Sequence, residues 1–330
     1  MNKGRMKCLF NSLFILYLLI ALNGCDLDKD KKDTVEEVVD LSHFTIDNFP
    51  RVDGSTSNKP MMIVLACEIF HLQYEWFDAG DATMQPYPLS VSDTLKSKEV
   101  DFVRNIIFYK TIRAYDRLIY DSTDVILVAN PPSTDHLQLA ASVGVSFTIA
   151  PIAMDGLVFL LNSSNPVKNL THYQVIGIYT GQIINWKEIG GNDVQINPYI
   201  RNRNSGSQEL MEKVVMQGLP MLNVPDMVLF DMLGLVNRIV TDVNGIGYTV
   251  YYYSATMVPR EGVQRVSIDG ITPNAVTINS GAYKYTAPVY TIIRSTLNTK
   301  SNAYLFWKWL QTGAGQRAIA KSGYVAYSVK

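Results

Sequence analysis

Residues 151–166 read PIAMDGLVFLLNSSNP, and the continuous apolar run at 156–162 predicts a buried β-strand. Further strands are predicted at residues 124–129, 245–253 and 289–294. Helical apolar spacing is found around these strands, at residues 100–109, 111–120, 170–179, 208–217 and 302–320. Residues 61–70 (MMIVLACEIF) fit a helix and a strand equally well. Strands that alternate with helices predict an α/β chain with mainly parallel sheets.

The composition of the 330 residues excludes several classes of protein. Hydrophobic residues make up 47% and charged residues 18%, which is typical of a folded chain of about two domains. A formal net charge of −1 gives no overall attraction to nucleic acid. With three cysteines, four histidines and no CxxC, HExxH or P-loop pattern, we expect no disulfide scaffold, no metal site and no cofactor.

The N-terminus has the plan of a secretory signal. Three basic residues precede a short apolar run at 9–22, which is followed by Asn23, Gly24 and Cys25. The pattern resembles the bacterial lipoprotein signal, in which residues 1–24 would be removed and Cys25 would carry lipid. An uncleaved membrane anchor is the alternative, and both place the rest of the chain outside the cytoplasm. Residues 25–47 would then be the lipidated cysteine and a charged tether.

Two polar turns lie directly before predicted helices. Residues 53–60 (DGSTSNKP) and residues 201–207 (RNRNSGS) combine glycine with hydroxyl side chains, and the second adds two arginines. The free amides and hydroxyls at such helix starts favour anions, and arginine suits tetrahedral oxyanions. Taken alone, the first fits an ordinary capped helix and the second a solvated loop. Two of them could face each other across an anion-binding cleft.

From about residue 48 to the C-terminus, the chain resembles the phosphate-binding proteins of bacterial phosphate ABC transporters. Six segments in the expected order carry the resemblance: residues 53–57 (DGSTS), 151–166, 178–191 (IYTGQIINWKEIGG), 201–207, 245–251 (GIGYTVY) and 315–324 (GQRAIAKSGY).

This resemblance implies a two-lobed type II periplasmic-binding-protein fold. Each lobe would be a mainly parallel sheet flanked by helices, and the chain would cross the hinge twice, near residues 154–158 and 285–290. Lobe one would hold residues 48–155 and 287–330, and lobe two would hold residues 156–286. Ligand would bind between the lobes and favour a closed form.

The same resemblance assigns the ligand-binding residues to both lobes. From lobe one, they would be Ser55, Thr56, Ser57 and Thr111. From lobe two, they would be Arg201, which would grip the anion, and Ser205, Gly206 and Ser207.

Two departures from the family pattern concern specificity. The aspartate that accepts a proton from the ligand in well-studied phosphate binders aligns here with Ala129. Arg203 stands where many members carry an acidic residue, so both changes make the predicted cleft less acidic. Asn130 is a candidate substitute, because an amide oxygen accepts a hydrogen bond without carrying charge. Asn130 and Arg203 are therefore additional candidate ligand residues.

The predicted function is a monomeric, lipid-anchored, extracytoplasmic receptor that captures inorganic phosphate or a related oxyanion for an ABC permease. It would not be an enzyme and would not bind nucleic acid. One alternative is an adhesion or sensing lipoprotein with weak or altered anion binding, which the departures at Ala129 and Arg203 favour. A phosphohydrolase is a further alternative, although no histidine lies near either polar turn in sequence.

The missing carboxylate predicts weak discrimination between phosphate and sulfate. A fully ionised sulfate has no proton to offer, so a carboxylate at this place would repel it. We expect calorimetric titration of anion-stripped protein to give a sulfate affinity within about 1000-fold of the phosphate affinity, or about 4 kcal/mol. A larger preference for phosphate would contradict this reading of Ala129.

Overall fold

A computed structural model describes residues 38–80, 82–203 and 205–327 of the chain. The predicted signal peptide and Cys25 lie outside these residues. No helix within them is both long and apolar enough to cross a membrane.

Helices and short strands alternate along the described chain. The helices are α1 (Lys59–Phe70), α2 (Thr94–Arg104), α3 (Lys110–Ile119), α4 (Thr134–Ser142), α5 (His172–Thr180), α6 (Gly206–Leu210), α7 (Met232–Thr241), α8 (Ala275–Asn279), α9 (Asn302–Trp309) and α10 (Gly313–Lys321). The strands are β1 (Val52–Gly54), β2 (Tyr74–Asp78), β3 (Met84–Pro88), β4 (Val125–Val128), β5 (Phe147–Asn162), β6 (Asn169–Leu170), β7 (Asn197–Pro198), β8 (Ile200–Arg201), β9 (Val228–Leu229), β10 (Gly245–Val250), β11 (Val263–Arg265), β12 (Ser267–Ile268), β13 (Thr286–Arg294) and β14 (Val325–Ala326).

The main sheet has the strand order β1-β4-β13-β5-β10-β7, and β11 and β14 also pair with β5. Strand β5 changes partners along its length: it pairs with β13 as far as Gly156 and with β10 from Leu157 onward. The sheet therefore has two halves joined by one continuous strand. We call β1, β4, β13, β14 and residues 147–156 the first half-sheet, and β7, β10, β11 and residues 157–162 the second half-sheet.

The α/β architecture is as predicted from the sequence, but the sheet is mixed rather than mainly parallel. Strands β1 and β4 are parallel, and so are β7 and β10. Strands β5 and β13 are antiparallel, with Phe147 opposite Arg294 and Gly156 opposite Thr286. The reason is that β5 carries the chain out of the first half-sheet and β13 brings it back. Neighbouring strands that leave and return must run in opposite directions.

Helices flank both half-sheets. Helix α3 packs on β1 and β4, α9 packs on β13, and α7 packs on β10 and β5. Strand β4 is buried along its whole length, which agrees with its β-branched sequence. Residues 61–70 are part of helix α1. Because this helix is buried on nearly all sides, its apolar residues are not confined to one face, and the sequence shows no helical period.

Three elements have bounds that differ from their prediction. Strand β10 stops at Val250, and the next residues are helical, because the amide of Tyr252 donates to the Asp155 carboxylate at 3.0 Å. The helix predicted at 208–217 begins earlier, as α6, and changes to a π-helical turn at Met211–Met216. The region 302–320 is two helices, because Thr312 caps the start of α10.

Asp155 is the buried acid at the point where β5 changes partners. Its Oδ1 accepts hydrogen bonds from the amides of Gly156 at 2.8 Å and Tyr252 at 3.0 Å. Its Oδ2 is buried and has no hydrogen-bond partner among the described residues. Burial raises the pKa of this carboxyl from 3.8 to about 7.

This raised pKa predicts how stability depends on pH. A folded-state pKa above the unfolded value gives a contribution that is present in acid and lost as the pH rises through about 7. We expect the wild-type melting temperature to fall more between about pH 5 and about pH 8 than that of Asp155→Asn, which keeps an acceptor oxygen but cannot ionise. Thermal unfolding followed by circular dichroism measures both slopes. Equal slopes would show that Asp155 does not titrate in this range.

Candidate anion-binding cleft

A cavity of about 260 Å³ lies between two walls. One wall is formed by the end of β4 and the starts of α1 and α3. The other wall is formed by β8, α6 and the start of α7. Its wall brings together eight residues that the sequence analysis assigned to an anion: Ser55, Thr56, Ser57, Thr111, Arg201, Ser205, Gly206 and Ser207. Their role as ligands stays a prediction. Their clustering shows that segments about 150 residues apart in sequence meet in space.

Ser55 and Thr111 form the first side of the cavity. Ser55 follows β1 directly and begins a 3₁₀ turn, Thr56–Asn58, that runs into α1. Its Oγ lies 2.8 Å from the Oγ1 of Thr111 and accepts a hydrogen bond from the amide of Ala129 at 3.2 Å. The turn requires Gly54, because a Cβ there would lie 2.1 Å from the carbonyl oxygen of Leu127. Two hydroxyls and the first amides of a helical segment therefore face the cavity together.

Arg201 lies on the opposite side of the cavity. Its side chain is buried, its Nε donates to the carbonyl of Leu229 at 2.8 Å, and its Nη1 donates to Ser207 Oγ at 3.2 Å. Burial lowers the pKa of the guanidinium from its ordinary value. Arginine nevertheless stays protonated in proteins. Among the described residues, no carboxylate oxygen lies within 4.0 Å of its nitrogens, so Arg201 is a buried cation with neutral partners.

The backbone around Arg201 is held by a separate set of contacts. Its amide lies 3.1 Å from Gln208 Oε1 and 3.2 Å from the Tyr248 hydroxyl. The Tyr248 hydroxyl also donates to Gln208 Oε1, and the backbone amide of Gln208 donates to Ser205 Oγ at 3.3 Å. The turn at 201–207 is therefore positioned by buried side chains of the second half-sheet and of α6.

Asn130 and Arg203 do not line this cavity. They line a neighbouring one of about 480 Å³, together with Asp135 and Glu209. Asn130 Nδ2 donates to Glu209 Oε2, and Arg203 forms a 3.5 Å ion pair with Asp135. Both contacts join the β4–α4 side to the α6 side, so these two side chains connect the walls rather than face the cavity. Burial raises the pKa of Glu209 to about 7.

Several residues of the cavity wall were missed by the sequence analysis. They include Lys110, whose φ of 73° is in the left-handed region, and the segment 230–233 at the start of α7. Asp231 in this segment caps α7 by accepting a hydrogen bond from the amide of Gly234 at 2.5 Å. Asp231 thus adds a carboxylate to the cavity wall. The sequence-based prediction of a less acidic cleft did not take this carboxylate into account. An Asp before an apolar helix is a recognisable cap, but nothing in the sequence places that cap beside Arg201.

The histidines have other surroundings. His136 stacks on Tyr115 with a centroid distance of 4.6 Å, and His172 lies 2.6 Å from the Tyr285 hydroxyl. Neither lines the cavity. Within the described part of the chain, no group of three or more His, Cys, Asp or Glu residues is placed to hold a metal ion.

Comparison with known proteins gives a family match and several relatives. A model described as the PBP superfamily domain matches residues 79–312. The chain is 31% identical over 134 residues to the phosphate-binding protein PstS of Bacillus subtilis, covering 40% of this chain and 42% of that protein. It is 26% identical over 220 residues to PstS of Staphylococcus epidermidis RP62A, covering 64% and 66%. The matched segments thus span less than two thirds of these relatives.

Solved structures share the fold. One is a putative phosphate ABC transporter substrate-binding protein with bound phosphate from Clostridium perfringens, with a TM-score of 0.62, 21% identity, and coverage of 85% of this chain and 100% of that one. Another is an ABC-type phosphate transport receptor from Vibrio cholerae, with a TM-score of 0.57, 20% identity, and coverage of 83% and 98%. The predicted two-lobed α/β fold is therefore confirmed, and the chain belongs to the PBP superfamily.

Proposed function

We propose that this protein is an extracytoplasmic solute-binding protein that captures inorganic phosphate, or a closely related tetrahedral oxyanion, for delivery to an ABC permease. The proposal rests on the cavity between the two half-sheets and is supported by the names of the similar proteins, which are phosphate-binding proteins and phosphate transport receptors. Anchoring through a lipidated Cys25 and a monomeric state belong to the same proposal.

The buried Arg201 is the observation that carries this proposal. Of its five N–H donors, one on Nε and one on Nη1 are used within the protein, which leaves three for a ligand. A buried charge without an ion-pair partner is costly, and an oxyanion beside it would supply that partner. The hydroxyls of Ser55, Thr111 and Ser207 lie in the same wall and would donate further hydrogen bonds.

Capture would work by closing the cleft on the anion. Donors from both sides of the cavity reach a small ligand together only when the sides are close, so the ligand stabilises the closed form. We propose that lobe one is residues 48–155 and 287–330 and that lobe two is residues 156–286. The change of partners in β5 between Gly156 and Leu157 supports this division.

Binding without catalysis is the simplest use of this site. Hydrolysis of a phosphate ester would need a group that activates water beside the anion. Among the described residues that line the cavity, Asp231 is the one carboxylate, and no histidine is present. Its Oδ1 already caps α7, so the wall favours holding an anion over cleaving an ester.

Replacement of Arg201 tests the proposed function. We expect Arg201→Ala to lower phosphate affinity by at least about 30-fold, because truncating one partner of a buried charged pair costs about 2–5 kcal/mol. Arg201→Lys should be intermediate, since it keeps the charge but loses the planar fork of donors. Isothermal titration calorimetry of the full chain, stripped of carried-over anion, measures the affinities.

Lys187→Ala is the matched control, because it removes a positive charge from an exposed ion pair with Asp193 outside the cavity. It should bind phosphate like the wild type, and circular dichroism should show all variants folded. Unchanged phosphate affinity in a folded Arg201→Ala protein would overturn the site.

A further inference from the structure

We propose that the cleft accommodates substituted phosphoryl groups, meaning phosphonates or phosphate monoesters with a short apolar substituent, in addition to the free anion. This inference rests on the proposed function, because the same residues would hold the phosphoryl oxygens. It follows from the size of the cavity, the contact between its walls at one edge and the chemistry of the residues that line it.

The cavity is larger than a tetrahedral oxyanion needs. Its volume is about 260 Å³. By the same measure one water molecule needs about 10–15 Å³, so four oxyanion oxygens take up roughly 40–60 Å³. Most of the cavity would stay empty, or filled with water, around a bound phosphate.

The extra volume does not come from a gap between the two walls of the cavity near the candidate anion-binding residues. A Cβ on Gly206 would lie 3.2 Å from Asn130 Oδ1 and 3.4 Å from Thr111 Oγ1, so the backbone of α6 already touches the other wall. The hydrogen bond from Asn130 to Glu209 joins the walls at the same edge. The two walls are therefore already in contact at this edge of the cavity.

Apolar side chains line much of the cavity. Phe230, Met232 and Leu233 lie together at the start of α7, and Ile112 and Val250 contribute from other elements. The side chain of Phe230 is 73% exposed, so a ligand that covers it removes apolar surface from water. A bare anion gains nothing from such a surface, whereas an alkyl or aryl substituent does.

Asp231 restricts the substituent further. It lines the cavity within the same segment, and its charge acts on Arg201 although the two side chains form no ion pair within 4.0 Å. Its negative charge disfavours a second anionic group beside it. The substituent should therefore be uncharged, which excludes carboxylated phosphonates and pyrophosphate.

A series of ligands tests this directly on the full chain. We would titrate inorganic phosphate, methylphosphonate, ethylphosphonate, propylphosphonate and phosphonoacetate by calorimetry after removal of carried-over anion. Because the phosphonate group is constant, the ratio between alkyl chains isolates the substituent. We expect affinity to rise about threefold to fourfold per methylene from methyl to propyl. Phosphonoacetate should bind more weakly than ethylphosphonate.

Each outcome separates this inference from the proposed function. If phosphate binds and the affinity stays level or falls from methyl to propyl, the inference is overturned and the proposed function stands. If the alkylphosphonates follow the expected order and phosphate does not bind, the binding of substituted phosphoryl groups stands, and the capture of free phosphate is wrong. No binding of any ligand overturns both, and tight binding of phosphonoacetate overturns the role given to Asp231.

Phe230→Ser tests the wall itself. Removing this exposed ring should bring the ratio of propylphosphonate to methylphosphonate affinity toward one. Tyr173→Ser is the matched control, since Tyr173 is 82% exposed and does not line the cavity, and it should leave the ratio unchanged. If Phe230→Ser keeps the same ratio of propylphosphonate to methylphosphonate affinity as the unmodified chain, the substituent does not contact Phe230. If Phe230→Ser does not fold, the series on the unmodified chain decides.

Discussion

The antiparallel pairing of β5 with β13 is the constraint on which the rest of the structure depends. The two strands pair from Phe147 and Arg294 to Gly156 and Thr286, where the chain passes between the half-sheets. Strands β4 and β14 add to this pair in the first half-sheet, and β10 and β11 add to β5 in the second. The cavity lies beside the ends of β4 and β10, so the register of this crossover sets which residues face each other.

A chain of buried contacts links this crossover to the candidate anion-binding turn at the start of α1. Asp155 accepts the amide of Tyr252, and the Tyr252 ring stacks on Tyr324 at a centroid distance of 3.8 Å. The Tyr324 hydroxyl donates to Asn58 Oδ1 at 2.8 Å and lies 3.2 Å from the carbonyl oxygen of Ser57. Each hydrogen bond contributes about 1 kcal/mol and the aromatic pair about 0.5–1.5 kcal/mol. The first turn of α1 is thus positioned by Tyr324 in the C-terminal part of the chain, although Tyr324 does not line the cavity.

The charges of the cavity are arranged asymmetrically. Arg201 is buried against the carbonyl of Leu229 and the hydroxyl of Ser207, both of which are neutral. Asp231 follows Leu229 by two residues and is exposed, and its charge acts on Arg201 without forming an ion pair within 4.0 Å. An anion is therefore favoured beside the guanidinium and disfavoured beside Asp231. Asn130 and Arg203 connect the walls outside this cavity, and their role as ligands stays a prediction.

Local signals in the sequence were enough to predict most of the helices and strands and the two polar turns. Continuous apolar runs predicted β4 and the second part of β5, and hydroxyl and glycine residues predicted the turns at 53–60 and 201–207, because these signals act over a few neighbouring residues. The tertiary structure alone decided that the sheet is mixed, that β10 ends at Val250, and that Phe230 and Asp231 belong to the cavity wall. Those features depend on contacts such as Tyr252 with Asp155, 97 residues apart in the chain. No local pattern encodes a contact of that kind, since its partner is chosen by how the strands pair and not by the neighbouring residues.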